Sequence, residues 1–294
     1  MTLALDHLVV AAASLEQGVA WCEATLGATP GPGGTHVLFG THNRLLKIAT
    51  PAFAQAYLEI IAIDPAAPPQ RRARWFGLDD PALQQRLALS PTLIHAVVRT
   101  DTLGTHRRAL IAAGLDPGEP VQASRDTPQG RLAWQILVRA DGRLLCGGAL
   151  PTLIQWEGAH PAARLPDAGL ALRALTLSGV PAAARELLQL RGVQVQTGPG
   201  PALSATLLTP RGEVRLEFRA VRMRQCLLRR LPVNQSHLRQ LKSSLVLGHA
   251  PPPLAGRQTS PVPSRPDSAA LLPLPTGFRC RFQAQFPAQL YNFL

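Results

Sequence analysis

The chain has 294 residues, 46% of them hydrophobic, and a formal net charge of +12. This length supports one large or two ordinary domains with material for a core. No run approaches about 18 consecutive apolar residues and no basic stretch leads into an apolar one, so neither a transmembrane helix nor a signal peptide is expected, and the cytoplasm is the default. The charge is uneven: residues 219–294 hold 11 Arg and Lys against one acid, Asp267, while residues 1–218 hold 19 basic and 17 acidic groups. That nearly neutral body has no basic helix with interleaved aromatics, so nucleic acid is not an expected partner.

The first repeat runs over residues 3–64. Its opening strand, residues 5–11, reads Leu5-Asp6-His7-Leu8-Val9-Val10. Ser14 with Gln17 forms a capping pair, and Leu15, Val19, Cys22 and Leu26 recur at helical spacing up to a stop at Gly27. The turn Pro30-Gly31-Pro32-Gly33-Gly34 precedes a strand rather than a helix, so it is not a phosphate loop. Strands are predicted near Thr35–Phe39, Asn43–Ile48 and Tyr57–Ile63. A linker, residues 65–91, contains Arg74-Trp75-Phe76 and a short helix at Pro81–Leu89.

The second repeat spans residues 92–158 and opens on Leu93-Ile94-His95-Ala96-Val97-Val98. A helix from Asp101 to Ala113, closed by Gly114, precedes strands near 119–123, 131–138 and 151–157. Both repeats read β-α-β-β-β. Residues 166–218 give a partial third copy, with strands near Leu172–Leu177, Val193–Gln196, Leu203–Leu208 and Glu213–Phe218 and a helix at Pro181–Leu190. This copy has no histidine in its first strand. Residues 219–294 are rich in Pro and Arg and lack periodicity, and are expected to be irregular. A basic tail binding an anionic partner and out-of-frame translation of GC-rich coding sequence are the alternatives; 28 Arg against Lys47 and Lys242 alone fits such a genome, of bacterial type. The four cysteines, Cys22, Cys146, Cys226 and Cys280, form no CxxC pair and read as free thiols in a reducing compartment.

The chemical signal is the histidine repeated in two equivalent strands. Two imidazoles from sister halves can supply neutral nitrogen ligands to one point. Each repeat also ends in a strand with polar groups among hydrophobics, Glu59 in the first and Gln155 with Glu157 in the second. Such N/O donors suit Zn²⁺, Fe²⁺, Mn²⁺ or Ni²⁺. Taken singly, each residue reads more readily as a satisfied core histidine or a solvated acid; taken together, the matched positions favour a shared site.

The paired units, with Leu5–Val10 and Leu93–Val98 opening them, together with Gly40–Leu46, Tyr57–Ile61, Arg74–Leu78 and Pro151–Pro161, resemble the vicinal oxygen chelate superfamily and, within it, glyoxalase-like domain proteins. The resemblance implies an α+β fold of paired βαβββ modules of the glyoxalase/bleomycin-resistance kind. Residues 1–165 would form that domain, followed by the partial third module and the irregular tail. It implies metal ligands at His7, Glu59, His95 and Gln155, with Glu157 able to substitute for the last. It implies a metal-dependent lyase or isomerase, or else a dioxygenase, acting on a small molecule chelated through adjacent oxygens, with Glu59 or Glu157 moving a proton. A metal-free protein that sequesters a small molecule in the same cleft is the alternative. His42, Asn43, Arg131, Trp134 and Gln135 are candidate substrate-binding residues, and His36 and His160 lie where either could approach the pocket mouth. No membrane partner is expected; a second copy of the chain is a candidate partner.

Overall fold

The computed structural model describes residues 3–127, 130–197 and 200–219. The irregular tail expected beyond residue 219 lies outside the described residues. In the first module β1 (Ala4–Ala11) and α1 (Leu15–Thr25) precede β2 (Thr35–His36), β3 (Thr41–Lys47) and β4 (Tyr57–Ile63). The linker adds one 3-10 turn at Trp75–Gly77 and α2 (Pro81–Leu89). The second module is β5 (Thr92–Arg99), α3 (Leu103–Ala112), β6 (Glu119–Thr127), β7 (Gly130–Val138) and β8 (Thr152–Glu157). Then follow β9 (Ala171–Ser178), α4 (Ala182–Leu188), β10 (Val193–Gln196), β11 (Leu203–Thr209) and β12 (Gly212–Phe218).

The first two modules share one eight-stranded sheet in the order β2-β3-β4-β1-β5-β8-β7-β6. Each module pairs its first strand in parallel with its last, β1 with β4 and β5 with β8. The two halves join through the antiparallel pair β1 and β5. Those central strands are buried along nearly their whole length, which accounts for their continuous apolar runs rather than strict alternation. The sheet is curled: Arg125 of the edge strand β6 bonds to Asn43 of β3, near the opposite edge, at 3.2 Å. Paired βαβββ modules in an α+β fold are therefore observed.

The third unit keeps the element order of the other two but not their pairing. Its strands form a separate sheet, β10-β9-β11-β12, in which β9 runs parallel to β10 rather than to the last strand. It packs β11 and β12 against β5 and α4 against α3. One predicted strand is shorter than expected. Thr35–Phe39 yields only the two residues of β2, because the chain turns back at once, with Phe39 N–H donating to His36 O at 2.9 Å. No described helix is long and apolar enough to cross a membrane.

Local chemistry explains how α1 sits. The Ser14 side chain accepts from Gln17 N–H at 3.2 Å, and Gln17 Oε1 accepts from Ala13 N–H at 2.8 Å, so the predicted capping pair forms. Gly18 is unfavourable for a helix interior, at a cost of roughly 1 kcal/mol. Its value lies in packing: a Cβ there would stand 2.4 Å from Cγ2 of Ile60 in β4. We expect Gly18→Val to lower stability in urea unfolding by about 1–3 kcal/mol, the usual cost of overpacking. An unchanged midpoint would show that α1 does not press on β4 at this point.

Candidate functional site

A bulge in β1 builds the centre of the site. Leu5 opposes Val98 and His7 opposes Val97, so Asp6 is an extra residue on β1. Strict alternation would send Asp6 and His7 to opposite faces; the bulge lets both side chains reach one cluster. Asp6 Oδ1 accepts from His7 Nδ1–H at 2.7 Å. Its Oδ2 accepts from Trp156 Nε1–H at 2.9 Å and from His160 Nε2–H at 2.9 Å. Asp6 is fully buried. Burial opposes its ionisation, yet hydrogen bonds from His160 and His7, and their charge, hold its carboxyl well below the usual range.

The far nitrogen of His7, Nε2, lies 3.6 Å from Glu59 Oε2. Glu59 is buried, and its Oε1 accepts from Asn43 Nδ2–H at 2.6 Å. Asn43 Oδ1 in turn accepts from Gly34 N–H at 2.9 Å and from Arg125 Nη1–H at 3.2 Å. Its Nδ2 is also 3.4 Å from His36 Nε2. A continuous polar line thus runs from Asp6 through His7, Glu59 and Asn43 to His36 and Arg125.

This line opens on a small cavity that is partly open to solvent. Tyr57, Trp75, Phe76, Trp134 and Trp156 form its aromatic walls, with Leu45, Ile136 and Ile154. Tyr57 stacks on His7 with ring centres 4.7 Å apart. Burial, then the charges of Asp6 and Glu59, push the Tyr57 hydroxyl well above its ordinary pKa. His36 is pushed down to about 3 by burial, with Arg125, His7 and His42 adding to the effect. A pocket with apolar walls and a few convergent polar groups is the usual form of a small-molecule site.

Of the residues singled out in the sequence, His7, Glu59, Asn43 and Trp134 all line this cavity. His95 does not. It lies opposite Val9 on the central strand pair, but both ring nitrogens are engaged. Nδ1 lies 3.3 Å from Gly148 O, and Nε2 accepts from Thr152 N–H at 3.1 Å and is 2.9 Å from Thr152 Oγ1. Burial, with some help from His7, pushes it down to about 3. Phe76 packs over it with ring centres 5.5 Å apart.

Gln155 lies on the other face of the sheet. Its neighbours Ile154 and Trp156 line the cavity, while Gln155 Oε1 accepts from Leu103 N–H at the start of α3. Glu157 shares that outer face, is exposed and accepts from Gln122. Gln135 opposes Gln122 and Gln155 in the ladder and faces the same way. Arg131 is exposed and donates to Ser124. His42 alternates with Asn43 and does not line the cavity; its Nε2 is buried without a hydrogen-bond partner among the described residues.

The family resemblance implies a divalent metal ion at His7, Glu59, His95 and Gln155. His7 and Glu59 are together; His95 and Gln155 hold other partners. No group of three or more His, Cys, Asp or Glu among the described residues is placed to hold a metal. The four donors do not share one coordination sphere, so no step is derived through a metal.

Several cavity residues carry no plain signal in the sequence. Trp156 alternates with Gln155 and Glu157, which looked more chemical, and Tyr57 shares the face of Glu59. Arg125 is missed because the strand predicted near 119–123 stops short of it, whereas β6 runs on to Thr127. In the ladder Arg125 opposes Leu132 and so shares the face of Trp134, whereas Arg131 opposes Asp126. Asp6 was legible only as a polar interruption of an apolar strand.

The cavity lies in a curled sheet built of paired βαβββ modules. A family model described as "Glyoxalase-like domain" matches residues 5–190, and the chain belongs to that family. Among solved structures it is similar to a hypothetical protein from Staphylococcus aureus (15% identity, TM-score 0.49, covering 74% of this chain and 87% of that one). It is also similar to methylmalonyl-CoA epimerase from Streptomyces coelicolor (18%, TM-score 0.35, 54% and 99%) and from Mycobacterium tuberculosis (19%, TM-score 0.31, 54% and 91%). No curated protein matches the chain.

Removing the buried carboxylate should be costly, since His7, Trp156 and His160 would each lose an acceptor. Asp6→Ala is expected to lower unfolding free energy by about 3–5 kcal/mol, the range for breaking a buried charged cluster. A loss well under 1 kcal/mol in urea titration would mean that Asp6 is not the hub of these contacts.

Proposed function

We propose that this chain binds a small oxygenated molecule in the cavity and moves a proton on it, as lyase or isomerase chemistry requires. One observation carries the reading: the buried line Asp6–His7–Glu59–Asn43 ends at an aromatic-walled cavity. Asn43 fixes Glu59 through Oε1, which leaves Oε2 facing His7 Nε2. Asp6 fixes the His7 ring through Nδ1. These two ends, one carboxylate oxygen and one imidazole nitrogen, are the groups suited to take a proton from a carbon beside a carbonyl and return it. The C–H bond breaks, the proton passes to Glu59 Oε2, and the electron pair moves onto the carbonyl oxygen as an enolate. Reprotonation at carbon, by Glu59 or through His7, completes isomerisation; loss of a neighbouring leaving group completes elimination.

The reading is metal-independent, because His95 and Gln155 are held elsewhere. The second reading, a protein that only sequesters its ligand, is favoured by a specific feature: both oxygens of Asp6, and Oε1 of Glu59, are already held by protein donors. The reading also keeps the chain in the cytoplasm, where Cys22, free and buried, stays reduced.

The test follows α-proton exchange by NMR in D₂O over a panel of small hydroxy ketones and oxo acids, with EDTA present. The wild-type chain is expected to accelerate exchange on a subset of the panel, and Glu59→Gln to slow it by about 10²–10⁴-fold, the usual contribution of a positioned base. Exchange that EDTA abolishes and a divalent metal restores would overturn the metal-independent reading. Binding without exchange would favour sequestration.

A further inference from the structure

Two donors in the cavity are left over from the polar line. Arg125 is half-buried, and among the described residues its side chain makes one hydrogen bond, from Nη1 to Asn43. Its Nε is buried without a partner, and no carboxylate pairs with the guanidinium among the described residues. Trp75 is 4% exposed, and its Nε1–H is likewise buried without a partner. Both residues line the same cavity. They are also local to each other: Asn43 bonds to Arg125 and lies beside His36, and the His36 ring meets the Trp75 ring at 4.8 Å.

An unpartnered buried donor costs about 1–3 kcal/mol, more when charged, so such groups persist where something else satisfies them. Asn43 keeps the obvious candidate away. Its Nδ2–H faces Glu59 and its Oδ1 faces Arg125, so the amide stands between cation and carboxylate. Burial keeps His36 neutral, which leaves Arg125 as the fixed positive charge at this end of the cavity.

Building on the proton-transfer reading above, we infer that the ligand is an anion: a small carboxylate whose oxygens are bound by Arg125 Nε–H and Trp75 Nε1–H, with its apolar body against Trp134 and Trp156. The carboxylate end sits at the Arg125 wall and the carbon skeleton extends toward Glu59 and His7. Arginine suits this task because its planar fork matches a carboxylate.

The test is equilibrium binding, which does not depend on proton transfer. Isothermal titration calorimetry of the full chain would compare benzoate with benzamide and phenylacetate with phenylacetamide. At least one acid is expected to bind more tightly than its amide by about tenfold or more, as a hydrogen bond to a charged group predicts. Arg125→Gln should erase that preference. Trp75→Phe keeps the ring that stacks on Phe39 and removes only the N–H, so it should weaken acid binding several-fold in a chain whose circular dichroism is unchanged. Equal affinity for acid and amide, binding of neither acid, or an acid preference that survives Arg125→Gln would each overturn the inference. Acid-selective binding in a chain that exchanges no protons would leave it standing and remove the catalytic reading alone.

Discussion

A single fully buried carboxylate, Asp6, holds the two halves of the site together. It arises on β1 in the first module, and two of its three donors, Trp156 and His160, come from the end of the second. An isolated buried charge would be strongly destabilising, so the three hydrogen bonds are a condition for its presence there. They act in concert. Trp156 is drawn to the cavity wall, His160 is tied to the close of the second module, and His7 is turned so that its other nitrogen faces Glu59. The bulge that brings Asp6 and His7 to one side is therefore the local irregularity on which the geometry of the cavity rests.

The repeated histidines illustrate how duplicated strands diverge in use. His7 and His95 stand at matching places in sister modules, and the resemblance to the vicinal oxygen chelate superfamily makes them a ligand pair. Yet only His7 opens on the cavity. His95 lies under Phe76, with Thr152 and Gly148 taking both nitrogens. Phe76 adopts a left-handed backbone conformation, with φ 57°, uncommon for a bulky residue. The linker turn thus brings Trp75 and Phe76 to the cavity wall, with Phe76 over His95. An aromatic plug stands where the resemblance suggests a common ligand sphere.

Most of the fold was legible because its signals are local and periodic. The apolar runs of β1 and β5, the Ser14 and Gln17 cap, and the glycine stops after the helices all correspond to observed elements. The site was legible only in part, for a reason visible in β8. The short strand β8 mixes apolar and polar residues without strict alternation, so Gln155 could be read as pointing either way. It points to the N-terminal end of α3, where a backbone donor needs an acceptor, and not to the cleft. Arg125 was lost for a different reason: β6 extends to Thr127, beyond the strand expected at 119–123. Asp6 was hidden more deeply, since a bulge is a property of two paired strands and leaves no mark in one of them.

The most direct test of this account is the imidazole state of His7. Long-range ¹⁵N–¹H correlation of histidine rings in the labelled protein would be compared with the same spectrum of Asp6→Asn. The account predicts that His7 carries a hydrogen-bonded proton on Nδ1 in the native chain, that this signal moves or vanishes in the variant, and that the His95 signals stay where they are. A His7 ring protonated only on Nε2, or one indifferent to the loss of the Asp6 charge, would contradict it.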